Sequence, residues 1–225
     1  MLDISGQVTA LAERAQALLA ERPRILLALA GAPGAGKSTM AAALHRRLND
    51  QKVPAEVVQL DGFLLDTAVL DARGLRQRKG APETVDARGF LHLVHRLKDG
   101  GEVVAPIFDR ARDIAIAGAQ VVPADCAVVI CEGNYLLFDE DPWRDLLPLW
   151  DLTARIDVPL PDLRARLIQR WLSLNLSRAA ATRRAEGNDV PNARRVLEKE
   201  LPAQFILAIR PENGSGVAPR DGNAR

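Results

Sequence analysis

The chain predicts an α/β protein of three layers, a mostly parallel sheet with helices on both faces. Two observations carry that expectation. Short apolar runs alternate with helix-forming stretches, the pattern of strands joined by crossover helices. One junction is also unusually explicit. Arg24-Ile25-Leu26-Leu27-Ala28-Leu29-Ala30 suits a strand buried on both faces. Gly31-Ala32-Pro33-Gly34-Ala35-Gly36-Lys37-Ser38-Thr39 follows, and residues 40–48 are helix formers without a breaker.

The glycine stretch fits Gly-x-x-x-x-Gly-Lys-[Ser/Thr], the phosphate-binding loop of many NTPases. Glycines let backbone N–H groups close around a phosphate, and a helix starting there aims its positive end at the same group. Lys37 is expected to reach the β- and γ-phosphates of a nucleotide, and the Ser38 hydroxyl to sit on Mg²⁺.

The other elements follow in order. Val8, Leu11, Ala15, Leu18 and Leu19 make a helical stripe that Pro23 ends. Residues 53–60 read as a second strand ending in Asp61-Gly62-Phe63. Residues 67–86 are polar, broken by Gly74, Gly80 and Pro82, and expected to be functional or disordered. Phe90, Leu91, Val94 and Leu97 restart a helix, with His92 and His95 beside its apolar face as packing or surface residues. Residues 103–108 form a strand ending before Asp109, and residues 114–122 another extended piece. Residues 127–131 form an apolar strand followed by Glu132-Gly133-Asn134. Residues 143–150 suit a short helix and residues 154–158 a strand that Pro159 ends. A helix opens at Pro161 with a stripe of Leu163, Leu167, Trp171 and Leu174. Residues 205–209 suit a last strand. Residues 1–210 are thus expected to form one domain with an N-terminal helix, and residues 211–225 a disordered tail.

Of 225 residues, 48% are hydrophobic, enough for one sizeable core. Lys+Arg 30 against Asp+Glu 29 gives a net charge of +1, which supplies no global attraction to nucleic acid or anionic membrane. No apolar run spans a bilayer, and no cationic-then-apolar leader opens the chain. Cys126 and Cys131 fall at odd spacing in one expected strand, which suits buried thiols rather than a disulfide or metal pair. A cytoplasmic setting is expected.

Ligands of open parallel sheets bind at the carboxyl ends of the strands. Asp61, Asp109 and Glu132 all fall at expected strand ends, on the edge of the phosphate loop. Asp61 suits a base that orients and deprotonates an acceptor hydroxyl. Glu132 ends an apolar strand as Walker-B acids do and suits Mg²⁺ held through water, or substrate hydroxyls. Arginine is frequent from Arg164 to Arg195, and that stretch suits a lid with Arg166 or Arg170 near the transferring phosphate. Arg78, Lys79 and Asp86 lie in the long polar segment and are expected to border the acceptor.

These motifs together carry a resemblance. The phosphate loop, Asp61-Gly62-Phe63, Arg78-Lys79-Gly80-Ala81-Pro82-Glu83-Thr84-Val85-Asp86, Pro106-Ile107-Phe108-Asp109 and Glu132-Gly133-Asn134-Tyr135-Leu136-Leu137 resemble the uridine kinase, phosphoribulokinase and bacterial pantothenate kinase superfamily of P-loop kinases. Trp143, Trp171 and Asn188-Asp189-Val190-Pro191-Asn192-Ala193 resemble its bacterial branch named for fructose transport system kinases. The likeness runs over residues 24–193. It implies a P-loop NTPase fold, ATP and Mg²⁺, and phosphoryl transfer to an alcohol of a sugar, nucleoside or pantothenate-like acceptor, fructose among them. It puts Asp61 in the base position, Glu132 in the conserved acidic position, and the segment near Arg166 and Arg170 in the lid; Asp109 and Asn134, at the same edge, are expected with the acceptor. Relatives are often homodimers. One departure concerns substrate. Uridine kinases follow the Pro-x-Tyr-Asp element with a histidine used for the nucleoside, whereas this chain has Arg110-Ala111-Arg112-Asp113.

The alternative is a regulatory or switch NTPase without a small-molecule acceptor. No Asn-Lys-x-Asp guanine motif occurs, and the Asp-x-x-Gly strings at Asp71 and Asp86 lie in loop or helix-start context. A nucleic-acid ATPase would favour a basic surface and an Asp-Glu pair in place of Glu132-Gly133.

Overall fold

A computed structural model describes residues 4–208. The expected tail and Ile209 lie outside the described residues. Five strands form one parallel sheet: β1 (Ile25–Ala30), β2 (Ala55–Gln59), β5 (Val128–Gly133), β6 (Leu152–Asp157) and β7 (Phe205–Ala208), in the order β2-β5-β1-β6-β7. The central strands β1 and β5 are buried throughout, which is why their sequences are apolar without alternation.

Helices surround this sheet. The leading helix α1 (Ser5–Leu18) buries Val8, Leu11, Ala12 and Ala15, packs on α2 (Lys37–Asp50) and ends before Pro23. Helix α4 (Ala87–Asp99) buries Phe90, Leu93, Val94 and Leu97, and leaves His92 and His95 exposed. Helix α5 (Leu160–Ser173) buries Leu163 and Leu167, whereas Leu174 has left the helix and is exposed. Residues Trp143–Leu149 coil as a 3-10 helix, the form that short segments favour.

The largest departure concerns the strand before Asp109. β3 (Val103–Asp109) does not join the parallel sheet; it pairs antiparallel with β4 (Ile114–Val122) as a separate hairpin. The connection is too short for a crossover helix, so the two strands fold back on each other. The polar segment 67–86 is ordered, with a short helix α3 (Thr67–Ala72) and two 3-10 turns. Its ends close on each other: Leu65 N–H donates to Thr84 O, and Asp86 N–H to Phe63 O. Cys126 precedes β5 rather than lying in it. Both thiols are buried and free, and burial pushes Cys126 up to about 11 and Cys131 higher still, so neither is a thiolate near neutral pH.

Candidate active site

The phosphate loop spans the carboxyl end of β1 and the start of α2. Gly36, at φ 100°, caps the helix in the left-handed region, and Gly34, at φ 82°, turns the loop beneath α5. A side chain at Gly34 would press on Leu167 at 3.2 Å, so the loop needs glycine for its turn and for its contact with α5.

Register explains what faces this loop. Glu132 pairs with Leu29 of β1 on one side and Gln59 of β2 on the other, at the carboxyl edge of the sheet. Ser38 Oγ donates to Glu132 Oε1 at 2.8 Å, and Gln59 Nε2 donates to the same oxygen at 2.9 Å. Lys37 Nζ donates to Asn134 Oδ1 at 2.7 Å and to Ala32 O at 3.1 Å. Lys37 is buried, and burial draws its ammonium below the ordinary lysine range. The fields of Glu132 and Asp61 oppose that shift, and those of Arg110 and Arg170 add to it. Two carboxylates and three cations thus act in one neighbourhood.

Asp61 sits in a 3-10 turn, Leu60–Phe63, directly after β2. The β3–β4 hairpin packs against this turn so closely that a Cβ at Gly62 would lie 2.7 Å from Pro106 O. Arg110, at the hairpin tip, donates from Nη2 to Asp61 Oδ2 at 2.7 Å. Asp109 has a different employment. It accepts from the backbone N–H groups of Ala111 and Arg112 and from Arg112 Nε, so it shapes the tip; Arg112 lowers its carboxyl below the usual range.

Other expected acceptor residues are engaged similarly. Asp86 is the N-cap of α4, accepting from Gly89 N–H at 2.9 Å. Lys79 ties the segment to the hairpin through Asp113, donating to its backbone O and pairing with its carboxylate, both at 2.8 Å. Arg78 donates to Asn188 and Asn192 and pairs with Glu83. Asn188 lies in a π-helical turn, Ala185–Asp189, between α6 (Arg178–Arg184) and α7 (Val190–Glu198), and donates to Lys79 O. Arg195 of α7 grips both Glu83 and Glu140. Tyr135 OH donates to Gly80 O at 2.6 Å, joining this segment to the end of β5.

The arginine-rich stretch does reach the phosphate loop. Arg166 Nη1 approaches Ala35 O at 3.4 Å and Gly34 O at 3.5 Å. Arg170 stands 5.5 Å from the Trp171 ring, which Arg184 also contacts.

The structure therefore joins Lys37 to Asn134 and Ser38 to Glu132 at the loop, with Glu132, Asp61 and Arg170 within electrostatic reach of Lys37. Asp86 and Asp109 are occupied by local turns. Sequence reading missed Gln59 as Glu132's partner and Arg110 as Asp61's. Gln59 had a faint signal, a polar residue two positions before Asp61 in an apolar strand. The pairing of Arg110 with Asp61 had no local signal, because it crosses from another element; only the departure from histidine at that position marked Arg110.

A parallel sheet with a glycine-rich phosphate-loop motif at the carboxyl end of β1 and acids at the same edge is the architecture of P-loop phosphotransferases. The chain belongs to the Phosphoribulokinase / Uridine kinase family, whose pattern residues 26–170 match. A crystal structure from Silicibacter sp. TM1040, provisionally named a fructose transport system kinase, shares 52% identity and a TM-score of 0.81, over 88% of this chain and 98% of that one. A provisionally named uridine kinase from Schizosaccharomyces pombe is 34% identical, over 86% of this chain and 87% of its own length. The pantothenate kinase of Leifsonia xyli is 35% identical over 73% of this chain, which spans 51% of that enzyme. The chain is an ATP-dependent kinase of the small-molecule class.

Proposed function

We propose that this kinase transfers the γ-phosphoryl of MgATP to an alcohol of a sugar, nucleoside or pantothenate-like acceptor, with fructose a candidate on the strength of the Silicibacter protein's name. The observation that carries the reading is the contact of Ser38 with Glu132 beside Lys37, on the sheet edge where Asp61 emerges.

The phosphate-loop amides and Lys37 bind the β- and γ-phosphates. Lys37 gives up its bonds to Asn134 and Ala32 in favour of phosphate oxygens. The donor set suits Mg²⁺, since Ser38, Glu132 and Gln59 offer hard oxygens. Among the described residues no three His, Cys, Asp or Glu side chains cluster as a cage. That agrees with a cation completed by substrate phosphates. When bound, such a cation neutralises phosphate charge. Asp61 orients the acceptor hydroxyl in line with the γ-phosphorus and takes its proton as the new O–P bond forms. Arg166 and Arg170 place positive charge beside the loop where charge accumulates in the transition state.

The acceptor is found by coupled ADP release against sugars, nucleosides and pantothenate-like alcohols, with product mass confirmed. One class is expected to raise ADP release above the acceptor-free rate. A rate that no hydroxyl compound raises would favour a switch NTPase.

A further inference from the structure

We propose that the acceptor carries an anionic group, a carboxylate or phosphate, within a few bonds of its reactive hydroxyl, and that Arg110 recognises it. The inference rests on Asp61 as the hydroxyl-binding base.

Arg110 holds only Oδ2 of Asp61, by Nη2, so Oδ1 is available to a hydroxyl while the pair stays intact. Any hydroxyl bound there lies one carboxylate width from the guanidinium. Among the described residues the other N–H groups of Arg110 have no hydrogen-bond partner, and its side chain is 59% exposed. A guanidinium fork matches carboxylate and phosphate oxygens, which a neutral polyol or a base edge does not offer with charge.

The other charges of the tip are already matched. Arg112 is bonded to Asp109, and Lys79 to Asp113. Both pairs brace the tip rather than leave a cation for substrate. The tip itself is fixed by Asp109 on its backbone N–H groups and by Pro106 against Gly62. Arg110 is therefore held at a set height over Asp61, on a short, braced hairpin. That is what discrimination between an anionic acceptor and its neutral counterpart requires.

The test uses matched probes: glycerate against glycerol, pantothenate against pantothenol, and a fructose phosphate against fructose. Wild-type protein is expected to favour the anionic member of at least one pair by about tenfold in kcat/KM, the scale of an exposed charge-assisted bond. Arg110→Ala should remove that preference mainly through acceptor KM, leave MgATP binding unchanged, and be partly rescued by Arg110→Lys. A second readout needs no turnover. With a non-hydrolysable ATP analogue filling the phosphate loop, the anionic probes should bind wild type more tightly than Arg110→Ala, and the neutral probes equally. Neutral probes used as well as anionic ones, or equal anion binding by both proteins, would overturn the inference and leave the kinase reading standing. ATP hydrolysis indifferent to every probe and to the whole acceptor screen would overturn both.

Discussion

The two halves of the site are built differently. The nucleotide half lies in the middle of the parallel sheet. Its loop, its lysine and Glu132 are set by the register of β1 on β5, among residues that are almost wholly buried. The proposed acceptor half lies at the sheet's margin. There Asp61, a separate hairpin, the 67–86 segment and α7 are held by side-chain bonds across long sequence separations. Phosphate binding is one chemistry for all such enzymes, so a rigid core serves it. Acceptor choice varies, and a margin stitched by replaceable side chains can vary without disturbing the core.

Substitutions should separate the halves. Lys37→Ala should have the largest effect, lowering kcat/KM for MgATP by about 10²-fold or more, because a charge aimed at the phosphates is lost. Titration of MgATP binding checks it; unchanged affinity and turnover would contradict the nucleotide half. Asp61→Asn should cut kcat on the true acceptor by about 10²-fold, the scale of general-base catalysis, with MgATP affinity nearly unchanged. A near-wild-type kcat would make Asp61 a turn residue and pass the role of base to Glu132.

Gly62→Ala tests the seam between hairpin and base. The added methyl cannot fit 2.7 Å from Pro106 O, so the hairpin must move. Steady-state kinetics should show kcat on the acceptor reduced by about tenfold or more, since small misplacements at a reacting centre are costly, while MgATP binding holds. Asp86→Ala should destabilise the fold by about 1 kcal/mol through loss of the α4 cap, read by chemical denaturation. A raised acceptor KM without lost stability would restore Asp86 as a substrate residue.

The smallest effect concerns pH. Burial works to raise the Glu83 carboxyl, but its own backbone N–H, Arg78 and Arg195 outweigh it and the net shift is downward. Glu140 is lowered chiefly by its bond to Arg195. Carboxyls with lowered folded pKa contribute stability that is present above the ordinary range, about 4.3, and lost as pH falls through the folded values. Acidification below about pH 4 should therefore loosen α7 and the 67–86 segment, and hydrogen exchange should show this. Arg195→Gln should flatten that acid dependence. An unchanged profile would mean the Arg195 pairs contribute nothing.

The same contrast governs what the sequence could reveal. Gly31 to Thr39 is a local motif flanked by a strand and a helix, and every residue that shapes the loop is adjacent in the chain. Glu132 was legible because an apolar strand ended on an acid. The parallel sheet followed from alternating strands and helices; its strand order did not. Asp109 misled because a strand ending in an acid looks alike whether it lies in a parallel sheet or a hairpin; only the short link to β4 distinguishes them. Asp86 is ambiguous in the sequence because an N-cap aspartate and a substrate aspartate occupy the same kind of loop; the structure shows the cap. Arg110 on Asp61 and Arg78 on Asn188 were illegible, since neither pair has any local pattern.

The fate of the γ-phosphoryl group tests the central claim most directly. Purified protein is supplied with ATP labelled at that position, Mg²⁺ and the acceptor found by screening, and the label is traced. The account requires it to leave on carbon-bound oxygen, one organic phosphate formed for each ADP, in wild type and far more slowly in Asp61→Asn. Label released as inorganic phosphate at the same rate with or without the acceptor would contradict it.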